Sequence, residues 1–355
     1  LQFAQLENAL HSGLGGALDY ISELDPDRQN MEFDGLLSGT KKMAQVLTGN
    51  QLDLLNVLLA KVEPPGSIVV LKGCAMALLY YPDSILRVMG DVDLLVTPEQ
   101  QRPVEDICAS LGFVKKSIYS EEFYLNFHHS MPLFNSVTKV WAEIHTRLFD
   151  TTTPLANDQA FQIEMVREQV TQHQWNGLRF GSLNKEMLLI YTCAHWADEC
   201  NWEKSAIRLL DMLLIIHDKR ASVDWKNVIN ISRSSPASST CLILALSFFN
   251  KHGLASVHQD VLMEIAENEK KLNPVSVLIL HWLIFQYSME GKQFGRIASE
   301  SNIAIVWSTL MFGSLSSWGN LLFLLPKNIL FPPKSANRFS LHFQFSRIKK
   351  FFKSG

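Results

Sequence analysis

Cysteine is scarce in this chain, and so are charge imbalance and glycine-rich loops. Only five cysteines occur in 355 residues (Cys74, Cys108, Cys193, Cys200 and Cys241), and none form a CxxC pair. An odd number with no such pair argues against a disulfide framework or a structural zinc site, and a reducing cytoplasm is the expected compartment. Cys193 and Cys200 flank His195, but that spacing matches no zinc pattern. The formal net charge of -3 provides no basic surplus for gripping long nucleic acids. The opening LQFAQLENAL has no basic segment followed by an apolar core, so no secretory leader is expected there. Glycine-rich loops of the P-loop or kinase kind are absent, which removes two common routes to phosphoryl transfer.

What is present is a chain that can fold. It is 47% hydrophobic and 19% charged, enough to bury a substantial core, and its length suits two or three domains. Residues 303–325 carry no charge and would be long enough to span a membrane. Ser308, Gly313, Ser316, Ser317 and Gly319 interrupt them, so a buried pair of helices is the expected reading. The tail mixes Phe with Arg347, Lys349, Lys350 and Lys353. A solvated basic end is expected there, with weak contact to an anionic membrane surface as the alternative.

Periodicity divides the rest. Leu52, Leu55, Leu58 and Leu59 recur at helical spacing, and EPPG (63–66) stops that helix. SIVVL (67–71) reads as a buried strand, Lys72-Gly73 as a turn, and CAMALLYY as a short helix ended by Pro82. DVDLLV (91–96) is the next strand, followed by a helix with Gly112 just past its end. Tyr119, Phe123, Tyr124 and Phe127 suggest irregular strands. KVWAEIHTRLF (139–149) alternates, with Val140, Ala142 and Ile144 on one face and Trp141, Glu143 and His145 on the other. Asn176-Gly177 between two strand-like runs signals a hairpin. From Ser182 the pattern is helical, with a loop at 232–240. The expected fold class is α+β. A helical segment (1–62) precedes a small mixed α/β core (63–150), and a hairpin plus a helical domain (151–355) follow.

The chemistry concentrates in LKGCAMALLYYPDSILRVMGDVDLLV (71–96). On a strand, residues i and i+2 share a face, so Asp91 and Asp93 place two carboxylates side by side. Like charges this close repel unless a cation sits between them, and oxygen ligands suit a hard divalent ion such as Mg²⁺. The Lys72-Gly73 turn and the helix start behind it can cradle phosphate with backbone N–H groups. Arg87 could neutralise a phosphate. A third acid, Glu143, shares a face with His145 on a later strand.

These segments, with His128-His129, AEIHTRLF (142–149), LIYTCAHW (189–196) and IRLLDMLLII (207–216), resemble a bacterial family. It is the family usually labelled uncharacterised nucleotidyltransferase, within the superfamily related to DNA polymerase β. The resemblance covers most of residues 50–250. It implies a small nucleotidyltransferase-type mixed sheet flanked by helices. It also implies transfer of a nucleoside monophosphate from an NTP onto a hydroxyl or phosphate, by a two-metal mechanism with Mg²⁺ or Mn²⁺. Asp91 and Asp93 match the two metal-binding acids. Glu143 matches the third, which can also deprotonate the acceptor. Gly73 matches a small residue of the phosphate-holding turn, and Arg87 an arginine found before DxD in toxin-type relatives. Lys72 departs from the superfamily, where glycine is common; its ammonium could reach a triphosphate or point outward. Asp93→Ala is expected to abolish transfer with the fold intact.

Other residues carry two readings each. His145 either orients Glu143 and contacts phosphate or is a hydrogen-bonded sheet histidine. His128 and His129 lie in an aromatic stretch, where packing is the default. His195 reads as a core histidine, and Trp196, Trp202 and Trp225 as packing. Arg208 and Asp211 are three apart on a helix and can pair with each other, or can face the cleft and hold nucleotide or acceptor. The expected acceptor is a small molecule, a natural product or a protein. A nucleotide-binding regulatory module without catalysis is the competing function.

Overall fold

The computed structural model describes residues 31–117, 121, 124, 130–149, 154–199 and 202–269. Helix α1 (Met31–Lys61) runs to the EPPG stop, as its leucine spacing requires. Strand β1 (Val69–Val70) is shorter than the apolar run that announces it. Ser67 N–H is turned back onto the Pro64 carbonyl at 3.1 Å, and Leu71 already caps α2 (Lys72–Leu79). Strand β2 (Val92–Leu95) leads to α3 (Pro98–Ser110). Proline at the start of α3 loses no hydrogen bond there, and Gly112 beyond its end takes the left-handed conformation at φ +85°.

Strands β3 (Val114–Lys115), β4 (Leu133–Phe134) and β5 (Trp141–His145) follow. Between β3 and β4 the strand expectation fails at Tyr124, which is helical; Tyr119, Phe123 and Phe127 lie outside the described residues. After the short helix α4 (Ile163–Glu168) comes the hairpin of β6 (Val170–Trp175) and β7 (Leu178–Leu183). Its two-residue turn has Asn176 at φ 50° and Gly177 at φ 78°, the geometry that matches the twist of the flanking strands. Helices α5 (Lys185–Glu199), α6 (Trp202–Ile216), α7 (Trp225–Ser232), α8 (Pro236–Lys251) and α9 (Gln259–Glu269) complete the described chain.

The strands form one mixed seven-stranded sheet in the order β3-β4-β5-β2-β1-β7-β6. The fold is therefore α+β, as expected. The hairpin, grouped with the helical region on sequence, in fact completes this sheet, because β7 pairs parallel to β1. The sheet is covered on two sides. Leu55, Leu58, Val104 and Cys108 from α1 and α3 pack against Val92, Leu94, Ala142 and Ile144. On the other side Leu95, Leu183 and Leu71 join Tyr191, Met212, Phe249 and Ile265 of α5, α6, α8 and α9. Side-chain alternation along β2 thus sends Leu94 to one core and Leu95 to the other.

Among the described residues no helix is long and apolar enough to cross a membrane. Residues 303–325, the basic tail, His128, His129 and Cys200 lie outside the described residues.

Candidate active site

Register between β2 and β5 builds the site. The two strands run parallel with Asp93 opposite Glu143 and Leu95 opposite His145. Because Val92, Leu94, Ala142 and Ile144 are committed to the α1/α3 core, Asp93, Glu143 and His145 share the face turned toward the helical region. Their ligand atoms all lie within 4.8 Å of one another, the one group of three metal-ligating side chains among the described residues. His145 Nε2 is 2.7 Å from Asp93 Oδ1 and 3.7 Å from Glu143 Oε2. The Asp93 side chain is 2% exposed and that of Glu143 30%, so one acid is sealed and the other meets solvent. Asp91 lies one residue before β2, partly exposed, and is outside this group of three.

Lys72 is the first residue of α2, which follows β1 after the single residue Leu71. The Leu71 N–H donates to the Asp93 carbonyl at 3.0 Å, which ties this junction to β2. The Lys72 side chain does not point outward: its Nζ is 2.7 Å from Asp93 Oδ1, the oxygen that also meets His145. Its backbone is left-handed at φ 45°, a conformation that costs a residue bearing Cβ roughly 1–3 kcal/mol. Burial alone would push the Asp93 carboxyl up, but Lys72 and His145 outweigh it and hold the group well below the ordinary carboxylate range. Burial would likewise push the Lys72 ammonium down; Asp93, then Tyr191, Glu143 and Asp91, hold it well above its usual value. The ammonium is therefore a permanent charge inside an acidic cluster.

Arg87 packs beside Gly73. A Cβ there would stand 3.1 Å from Met89 Cγ and 3.6 Å from Arg87 Cζ, so the guanidinium lies against the start of α2. Arg87 itself is buried and forked onto Asp211 of α6, with Nε 2.9 Å from Oδ1 and Nη2 2.8 Å from Oδ2. The Tyr81 hydroxyl donates to the same carboxylate at 3.0 Å. Asp211 thus reaches across to the arginine before DxD rather than serving only its own helix. Arg208, also buried, is near enough to oppose the charge of Arg87. His195 is a core histidine, edge-on to Tyr191 with centroids 5.8 Å apart. Trp196 is buried and Trp225 packs against the same core; the Trp202 side chain lies outside the described residues.

Sequence reasoning missed Tyr81 and Tyr191. No local pattern marks either phenol, since each is one aromatic in an apolar stretch whose charged neighbour comes from a distant segment.

This arrangement can hold a cation between acids and an anionic group at the start of α2. A family model described as uncharacterised nucleotidyltransferase matches residues 23–249. No curated protein and no solved structure matches the chain significantly. The match spans well over half of the sequence, the sheet and the acidic cluster included, and the chain belongs to the uncharacterised nucleotidyltransferase family.

Proposed function

We propose that the chain moves a nucleoside monophosphate from an NTP to a hydroxyl or phosphate acceptor, with Mg²⁺ or Mn²⁺ as the cofactor. The observation that carries this reading is the convergence of Asp93, Glu143 and His145, set by strand register beside the start of α2. The donor set fits a hard divalent ion: carboxylate oxygens suit Mg²⁺ and Mn²⁺, and the imidazole is already engaged with Asp93. Asp91, Asp93 and Glu143 would hold the ion, with His145 fixing the rotamer of Asp93. When bound, it supplies neutralisation of phosphate charge and activation of the attacking oxygen.

The protein groups divide the remaining work. The N–H groups at the start of α2, with Lys72 and Gly73, face the phosphates. Arg87 adds positive charge behind that turn while Asp211 fixes its position. In this reading Arg208 and Asp211 of α6 act from the helical side, Asp211 by holding Arg87 and Arg208 by adding positive charge near it. Glu143, the more exposed acid, accepts the proton of the acceptor hydroxyl. The acceptor oxygen bonds to the α-phosphorus, the bridge to the β-phosphate breaks, and pyrophosphate leaves with that electron pair. The acceptor is a small molecule, a natural product or a protein, since a net charge of -3 does not favour long nucleic acids. Free, buried Cys74, Cys108, Cys193 and Cys241 fit a reducing cytoplasm.

Calorimetric titration of ATP, GTP, CTP and UTP, with and without Mg²⁺, into wild type and Glu143→Gln tests the proposal. One nucleotide is expected to bind only with Mg²⁺, at least tenfold more weakly to the variant. Binding of the same strength without metal and in the variant would sink it.

A further inference from the structure

Lys72 stands where a cation is needed. Its ammonium is 2.7 Å from Asp93 Oδ1 with only 13% of the side chain exposed, and Asp93 is more deeply buried still. The same carboxylate belongs to the group of three metal-ligating side chains. A carboxylate as deeply buried as that of Asp93 is unstable without a counter-charge. The left-handed backbone at residue 72 suits glycine best, yet a lysine is there, and its long side chain turns inward to the acids.

We propose that Lys72 is a built-in competitor for the divalent cation. It neutralises Asp93 while the site carries no metal, and it has to leave that oxygen for an ion to take it. The released ammonium then lies at the start of α2, facing the phosphates that accompany the ion. Free metal is therefore bound weakly, and metal is bound tightly only with a triphosphate that gives Lys72 a new partner. This is a coupling between two ligands of one site. The inference rests on the nucleotidyltransferase reading and adds regulation of metal entry to it.

The test is Mn²⁺ titration without nucleotide, followed by the electron paramagnetic resonance of free Mn²⁺. Wild type is compared with Lys72→Met, Lys72→Gly and Glu143→Gln. Glycine removes the ammonium and also relieves the backbone at residue 72, so that variant remains readable should the Met variant fail to fold. At least tenfold tighter Mn²⁺ binding by Lys72→Gly than by wild type is expected. A larger rise in melting temperature on adding Mn²⁺ should accompany it. Equal or weaker binding by Lys72→Gly, with binding lost in Glu143→Gln, overturns the Lys72 proposal and leaves the nucleotidyltransferase reading standing. No Mn²⁺ binding by any of the four proteins also overturns the Lys72 proposal, while the nucleotidyltransferase reading stands or falls on the nucleotide titration with Mg²⁺.

Discussion

At the residue scale, two buried ion pairs set the consequences of mutation. Lys72–Asp93 and Arg87–Asp211 both have side chains almost out of solvent, and both stand at the site. Removing one partner of such a pair strands a buried charge. Asp93→Asn is therefore expected to cost about 3 kcal/mol in urea unfolding, so Asp93→Ala would not leave the fold untouched as the sequence suggests. Asp211→Asn should cost about 3 kcal/mol for the same reason, because the Arg87 guanidinium loses both of its carboxylate contacts. Removing Arg102, whose contact with Asp106 at 4.0 Å is exposed on both sides, should leave the unfolding midpoint unchanged. Equal midpoints for the Asp211→Asn protein and wild type would show that the fork carries no stability. Glu143→Gln is the cleaner probe of chemistry, since its side chain is partly exposed.

At the element scale, the β6–β7 hairpin shows how local chemistry and long-range pairing combine. The Asn176-Gly177 turn is decided by backbone sterics, because both residues need positive φ. A Cβ at Gly177 would meet no atom within 4 Å, so Gly177→Ala adds only backbone strain. Its expected cost is about 1 kcal/mol, read as a lower melting temperature with nucleotide binding unchanged. The pairing of β7 with β1 has no such local cause. It follows from burying Phe180 and Leu183 against the two cores, which the hairpin pattern alone does not reveal.

At the scale of the whole molecule, Asp158 links the segment after β5 to the corner between α7 and α8. It accepts a hydrogen bond from Ser235, which also shares a 2.6 Å contact with Ser238. Burial pushes the Asp158 carboxyl up to about 6, with the Ser235 hydroxyl opposing that only in part. An unfolded aspartate titrates near 4, so between about pH 4 and 6 the folded protein holds a proton that the unfolded chain has released. This contribution to stability is present in full below the unfolded value and is lost as pH rises through about 6. Wild type is expected to lose about 1 kcal/mol between pH 5 and 7 relative to Asp158→Asn, measured as the difference in their unfolding free energies. Parallel pH profiles for the two proteins would refute the assignment.

The sequence by itself determined what depends on repeats of covalent geometry. The stop of the first helix at EPPG, the Asn176-Gly177 turn and the apolar side of β5 all follow from spacing within one segment. Only the tertiary structure decided which partners meet. Glu143 faces Asp93 because two strands pair in one parallel register, and a one-residue slip would have turned it into the core. Tyr124 is helical despite its aromatic surroundings, and Lys72 turns inward to an acid 21 positions along the chain. Asp211 pairs with an arginine 124 positions away. Such pairings are fixed by the burial of distant apolar faces against each other, and no local spacing encodes that.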